Sequence, residues 1–149
     1  MSRSEQESLS LRIPALAPYL LPVRALLEHV LAAWFGERGD ADEAKEFLLA
    51  VQEGMTNVIR HAYRDGAGRL EIELSRNGDA AEVVLRDWGV PFDPEAIPPP
   101  DFDRPREGGY GLYIMRTVTD GCVFERSGGE NLLWLRKRIL APTPAEARR

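Results

Sequence analysis

The sequence predicts an α+β fold, a two-layer sandwich with helices on one face of a mixed, mainly antiparallel sheet. Three observations carry this. Two hairpin patterns turn at Asn77-Gly78 and at Ser127-Gly128-Gly129. Two stretches with apolar residues at helical spacing come before the first hairpin. A Pro- and Gly-rich segment and a short helix separate the hairpins.

Taken in order, Ser8-Leu9-Ser10-Leu11-Arg12-Ile13 alternates polar and apolar and reads as a short strand. Pro14 and Pro18 open a helical segment with a face of Leu16, Leu20, Val23, Leu27, Val30, Leu31 and Trp34, ended by Gly36 and Gly39. Pro22 fits that helix in its first turn or at a kink. Asp40 and Asp42 announce a second helix running to about Tyr63, with Phe47, Leu48, Val51, Met55, Val58, Ile59 and Ala62 on its apolar stripe; Asp65-Gly66 stops it. Leu70 to Leu74 and Ala81 to Leu85 form the first hairpin. A helix from Leu112 to Thr119, a strand from Cys122 to Arg126 and a strand from Leu132 to Ile139 complete the chain. There is no internal repeat beyond the two similar hairpins.

With 149 residues, 44% hydrophobic and 29% charged, the chain suits one globular domain with a real core. Its net charge of −5 argues against a protein that coats nucleic acid or an anionic membrane. The lone Cys122 excludes an internal disulfide and a multi-cysteine zinc site. Apolar runs such as Ala15 to Leu21 are short and broken by proline, and the first residues do not look like a signal peptide, so a cytoplasmic location is expected.

Glu53, Asn57 and His61 stand at i, i+4 and i+8, on one stripe of the second helix beside Met55 and Val58. Such a stripe is either the polar edge of an amphipathic helix or a carboxylate base beside an amide that binds a hard cation through oxygen. Asp87-Trp88-Gly89-Val90-Pro91 leaves a strand. Asp and Gly there either make a turn or offer an acceptor to an exocyclic amine, with Gly89 letting a flat ring approach the backbone. Gly108-Gly109-Tyr110-Gly111 precedes a helix, where glycines serve as a hinge or present N–H groups to phosphate; no Gly-Lys-Ser/Thr follows to make a Walker A motif. The irregular stretch between Asp87 and Gly111 carries six prolines, Pro91, Pro94, Pro98, Pro99, Pro100 and Pro105, and long segments of this kind are functional or mobile.

In combination these motifs are far more specific than singly. Glu53-Gly54-Met55-Thr56-Asn57 with His61, Asp87-Trp88-Gly89-Val90-Pro91-Phe92-Asp93-Pro94, Gly109-Tyr110-Gly111-Leu112-Tyr113-Ile114-Met115 and Gly128-Gly129-Glu130-Asn131-Leu132 occur in this order. Over roughly Leu9 to Ile139 the chain resembles the GHKL ATPase superfamily, and within it the RsbW/SpoIIAB-type anti-sigma-factor serine kinases. The resemblance implies a Bergerat-type ATP-binding kinase domain over residues 8–140, with flexible termini at 1–7 and 141–149. It implies Asn57 as the Mg²⁺ ligand, Glu53 as the general base for a serine hydroxyl, and Asp87 holding the adenine amine with Gly89 beneath the ring. His61 would lie beside the nucleotide, Gly108, Gly109, Gly111 and Leu112 along its phosphates, and residues Pro94 to Gly108 would form a lid. Arg104 and Arg106 in that lid either touch phosphate or are solvated. Glu107 departs from the pattern, since close relatives carry a basic residue before the second glycine motif, and this bears on the transfer rate.

The implied function is an ATP- and Mg²⁺-dependent serine/threonine kinase that phosphorylates a STAS-type anti-anti-sigma protein and restrains a sigma factor, as a homodimer. The alternatives are a switch kinase with a non-sigma partner and an inactive ATP-binding module. A severed sensor-kinase domain fits less well, because only His29 and His61 are present to accept phosphate. Trp34, expected exposed near the end of the first helix, is a candidate partner surface. Arg136-Lys137-Arg138 and the terminal Arg148-Arg149 read as ordinary surface charge.

Overall fold

The computed structural model describes residues 7–104, 109–140, 145 and 148–149. Strand β1 (Ser8–Pro14) leads through a single 3₁₀ turn at Ala17–Tyr19, with Pro18 in it, into α1 (Leu20–Phe35). Pro22 falls in the first turn of α1, where its missing N–H costs nothing. Helix α2 (Ala41–Asn57) follows, capped by Asp40, whose carboxylate accepts the N–H groups of Asp42 and Glu43 at 2.9 and 3.1 Å. Asp42 and Glu43 in the first turn add charge of the sign the helix dipole favours. Then come β2 (Arg69–Asn77), β3 (Ala80–Asp87), α3 (Tyr110–Val118), β4 (Gly121–Ser127) and β5 (Glu130–Arg138).

The five strands lie in the order β1-β2-β3-β5-β4, and every neighbouring pair is antiparallel. The expected mixed sheet is therefore wholly antiparallel. The crossover through α3 does return β4 parallel to β3, but β5 is inserted between them and pairs antiparallel with both. The first hairpin turns at Gly78-Asp79 rather than Asn77-Gly78, since Asn77 pairs with Ala80. Gly78 alone has positive φ (59°), the pattern of a type II′ turn, whereas Gly128 and Gly129 both do (59° and 79°), as type I′ requires.

The helices cover one face of the sheet. Leu27, Phe47, Met55, Leu70, Ile72, Leu74, Leu85, Met115 and Leu135 are fully buried between the layers. Gly54 lets α2 press onto the strands, because a methyl there would stand 2.8 Å from both Leu85 and Leu133. Trp34 is half-buried against the core rather than exposed, and its carbonyl accepts from Arg76. The exposed large apolar side chains of that segment are Leu16, Tyr19, Leu21 and Leu26. Among the described residues no helix is long and apolar enough to cross a membrane.

Lys137 corrects another expectation. Strand alternation sends Arg136 and Arg138 outward but turns Lys137 into the helix layer, where it is 5% exposed. Its ammonium meets Glu43 at 2.8 Å, Glu46 at 2.9 Å and the carbonyl of Val118, the last residue of α3. Burial works to lower its pKa, but the hydrogen bonds and charges of Glu43 and Glu46 outweigh burial and raise it above the ordinary lysine value.

Replacing Lys137 by Met frees two carboxylates that are already half in water and rehydrate. The expected cost is therefore about 1–3 kcal/mol, seen as a fall in Tm of roughly 3–8 °C. A pKa raised in the folded state contributes stability that is complete below the unfolded value of about 10.4 and fades as pH rises through the folded one. The Tm gap between wild type and Lys137→Met is thus constant from neutral pH to about pH 9 and closes above about pH 10.4. A gap that persists at high pH would show that the ion pairs are not its source.

Candidate functional site

The site is built where the end of α2 meets the exit of β3. Beyond Asn57 the helix does not continue to Tyr63 with α geometry; it widens into a π turn over Val58–Ala62. The carbonyl of Ala62, near the end of that turn, accepts the N–H of Val90 at 2.7 Å. Gly89 is bare for the same reason. A methyl there would lie 2.1 Å from the Ala62 oxygen, so this backbone contact by itself requires the glycine. The Tyr63 hydroxyl braces the junction, donating to the Arg69 carbonyl at 2.7 Å and accepting from the Trp88 N–H at 2.9 Å. The Arg69 guanidinium lies 4.1 Å over the Trp88 ring.

This junction frames an open cleft with about 570 Å³ of empty space, its mouth included. Asn57, His61 and Ala62 line one wall, Leu85 and Asp87 the floor, and Val90, Pro91 and Phe92 the side where the chain leaves β3. The opposite wall is Phe124, Glu125, Asn131, Leu132 and Leu133, with the Phe92 and Phe124 rings 4.9 Å apart. Asp87 is 7% exposed. Its Oδ1 accepts the Gly89 N–H at 3.0 Å and the Asn131 side-chain amide at 2.8 Å. The Asn131 amide also reaches the carbonyls of Val90 (3.0 Å) and Gly89 (3.3 Å), and its oxygen accepts from Arg126 at 2.6 Å.

Glu53 belongs to the other end of the site, where α3 begins. Gly109 caps α3 in the left-handed conformation (φ 84°), which L side chains rarely adopt. Two residues on, Gly111 is pressed against α2: a methyl there would stand 2.8 Å from Glu53 Oε2 and 3.8 Å from Asn57 Oδ1. The second glycine motif is thereby set against the first helix motif, and the N–H groups that open α3 lie beside a carboxylate and an amide oxygen. These two donors are oxygen alone, which suits a hard cation. Among the described residues no group of three or more His, Cys, Asp or Glu gathers to hold a metal. Leu112 is buried.

Between α3 and the Pro-rich segment lies a second cleft, lined by Pro94, Pro98, Gly109, Tyr113 and Arg116 among others. Arg116 pairs with Glu95 at 3.3 Å, and the Phe102 ring packs on Tyr113 (5.4 Å) and Tyr110 (6.3 Å). Arg104 is exposed. Gly108, Arg106 and Glu107 lie outside the described residues. Burial pushes the Cys122 thiol above its ordinary value, against a smaller lowering by Arg116, so it is a poor nucleophile.

The structure thus brings Asn57, His61 and Asp87 into one cleft, and Glu53, Asn57 and Gly111 together at its α3 end, while Gly109 lines the second cleft. Sequence reasoning assigned no task to Asn131 or Arg126. No local signal points to them, because the pairing that sets Asn131 opposite Asp87 joins the two hairpins and is fixed by neither turn.

An ATP-binding architecture of this kind is what the comparisons find. Residues 13–137 match the histidine kinase-like ATPase domain, and the chain belongs to that family. It is similar to the serine-protein kinase RsbW of Bacillus cereus (strain ATCC 10987 / NRS 248), 29% identical over 136 residues that cover 85% of this chain and 82% of the relative. The serine-protein kinase RsbW of Bacillus mycoides (strain KBAB4) is 28% identical over the same shares. Among solved structures, the RsbU and RsbW domains of Rv1364c from Mycobacterium tuberculosis match with a TM-score of 0.64 at 19% identity, over 91% of this chain. This chain spans 33% of that one. The histidine kinase domain of the Erythrobacter litoralis EL346 blue-light activated kinase matches with a TM-score of 0.54 at 21% identity, over 85% of this chain and 62% of that one. The sequence resemblance and the α+β sandwich are both borne out.

Substituting Gly89 by Ala drives a methyl into the Ala62 backbone, which has no free rotor to yield. The expected loss is about 3 kcal/mol in urea unfolding, against less than about 0.5 kcal/mol for Arg104→Ala. A stable Gly89→Ala would mean the junction can open without cost.

Proposed function

We propose that the protein is an ATP- and Mg²⁺-dependent serine/threonine protein kinase of a bacterial partner-switching system. Its substrate is a STAS-type anti-anti-sigma protein, and while that substrate is phosphorylated the kinase is free to hold a sigma factor inactive. The observation that carries the reading is the joining of two half-sites by α2, with Asp87 at one end and Glu53, Asn57 and Gly111 at the other. Family membership and the RsbW relatives support it.

In this reading Asp87 accepts the adenine amine, and His61 lies along the same wall. The N–H groups of Gly109 and Gly111 meet the phosphates, where the start of a helix favours negative charge. Asn57 Oδ1 is the chain's ligand for Mg²⁺, which when bound neutralises phosphate charge, phosphate oxygens supplying the other donors. Glu53 accepts the proton of the substrate serine as that oxygen bonds to the γ-phosphorus. The bond from the γ-phosphorus to the β–γ bridging oxygen breaks, and ADP leaves. Phe102 and Glu95, both in the lid, are held on α3, the helix whose first turn faces the phosphates in this reading. The reading includes a cytoplasmic location and a homodimer, for which exposed Leu16, Leu21 and Leu26 are available contact surface.

The test is phosphotransfer from ATP and Mg²⁺ to the STAS-domain protein encoded nearest to this one, followed by intact mass. Wild type is expected to add one phosphate, and Glu53→Gln to slow transfer by about 10²–10⁴-fold while ATP affinity stays within a few fold. Gly111→Ala displaces the Glu53 carboxylate, so it is expected to keep the wild-type Tm and lose transfer rate more than nucleotide affinity. ATP binding without transfer to any STAS protein would leave an ATP-locked interaction module. No ATP binding would overturn the reading.

A further inference from the structure

Asn131 opens β5 directly opposite Asp87. Its amide has one acceptor and one double donor, and its surroundings dictate which way it points. Arg126 can only donate and lies 2.6 Å from Oδ1. The other side presents acceptors alone: Asp87 Oδ1 at 2.8 Å, the Val90 carbonyl at 3.0 Å and the Gly89 carbonyl at 3.3 Å. Reversing the amide would set its NH₂ against a guanidinium and its oxygen against a carboxylate, so one orientation survives. Arg126 also reaches the Gly89 carbonyl at 3.3 Å, holding the loop and the amide from the same side.

The consequence falls on Asp87. The Asn131 amide and the Gly89 N–H both land on Oδ1, and neither uses Oδ2. A buried carboxylate gripped by one oxygen cannot turn, and the other oxygen is presented as a fixed acceptor. We propose that Asn131, oriented by Arg126, is the positioning residue for base recognition. It locks Asp87 so that Oδ2 meets a 6-amino purine and repels a 6-oxo purine. This rests on the reading of the cleft as an ATP site.

Alternatives at this position would do less. A hydroxyl has one proton for three acceptors, an aliphatic side chain has none, and Asp would face Asp87 with a second negative charge. If Asn131 merely held the loop, its loss would weaken every nucleotide alike.

The experiment measures Kd for ATP and inosine triphosphate on the full chain, with Tm read separately, for wild type, Asn131→Ala, Asn131→Asp, Asn131→Thr and Asp87→Asn. Wild type is expected to prefer ATP by about 100-fold, from one charged hydrogen bond against a carboxylate–carbonyl repulsion. Asn131→Ala is expected to cut that ratio about 10-fold, chiefly by weakening ATP, with inosine triphosphate affinity within about 3-fold. Asn131→Asp, of the same shape without the donors, loses at least as much, and Asn131→Thr recovers part. If Asp87→Asn abolishes the preference while Asn131→Ala weakens both nucleotides equally or neither, the proposal fails and the ATP reading stands. If wild type shows no preference and Asp87→Asn changes nothing, the ATP reading fails with it. Should Asn131→Asp not fold, Asn131→Ala and Asn131→Thr decide alone.

Discussion

One backbone contact organises the site, the hydrogen bond from the Val90 N–H to the Ala62 carbonyl over a glycine with no room for a side chain. A helix that simply ended would leave its last carbonyls to water or to a cap. Here the closing turn widens and a carbonyl from it is taken up by the chain leaving β3. The wall bearing Asn57 and His61 is thereby held at a set distance from the floor bearing Asp87. Tyr63, one residue past that carbonyl, repeats the tie through its hydroxyl. In the last turns of α2, Gly54 removes the side chain that would keep the helix off the sheet, and Gly111 removes the one that would keep α3 off the helix. The cleft is thus a product of close backbone approach, and its polar side chains inherit their positions from it.

The two buried charged residues among those described, Asp87 and Lys137, stand at opposite ends of the same strand pair and differ in how completely they are used. Lys137 has three N–H donors and three acceptors, from Glu43, Glu46 and Val118. Nothing remains for a ligand, and the residue binds the start of α2 and the end of α3 to the sheet. Asp87 carries its hydrogen bonds on one oxygen. Counting filled and unfilled valences separates the two, where burial alone would have treated them alike.

Legibility in the sequence followed the range of the interaction. The hairpins, both long helices and the order of the motifs rest on local signals: Gly at turn positions, apolar spacing, Asp40 as a cap. The all-antiparallel sheet was not readable, because placing β5 between β3 and β4 is a choice made across the whole chain. The π turn leaves the apolar stripe of α2 nearly unchanged, so periodicity did not show it. Lys137 lay in a run of three cations, and only strand register, with Glu43 and Glu46 arriving from nearly a hundred residues away, turned it inward. Gly89 was picked out correctly as a position that needs glycine, but the atom demanding it belongs to Ala62. The site residues were found as types; their division between an Asp87 end and a Glu53 end needed the fold.

The placement of β5 has a consequence for how such proteins diversify. The chain leaves the sheet at Asp87 and re-enters at Gly121, yet the sheet is sealed across that gap by β5, which pairs with strands on both sides of it. Everything between is a closed excursion with fixed ends. The entropy of closing such an excursion grows only logarithmically, about 0.6 kcal/mol for each doubling of its length. Insertions, deletions and new sequence in the Pro-rich stretch are therefore thermodynamically inexpensive and leave the strand register unaltered. The architecture lets the sequence of this stretch change while the sheet and the junction of α2 with β3 stay constant, so the two parts of one small domain can diverge at separate rates.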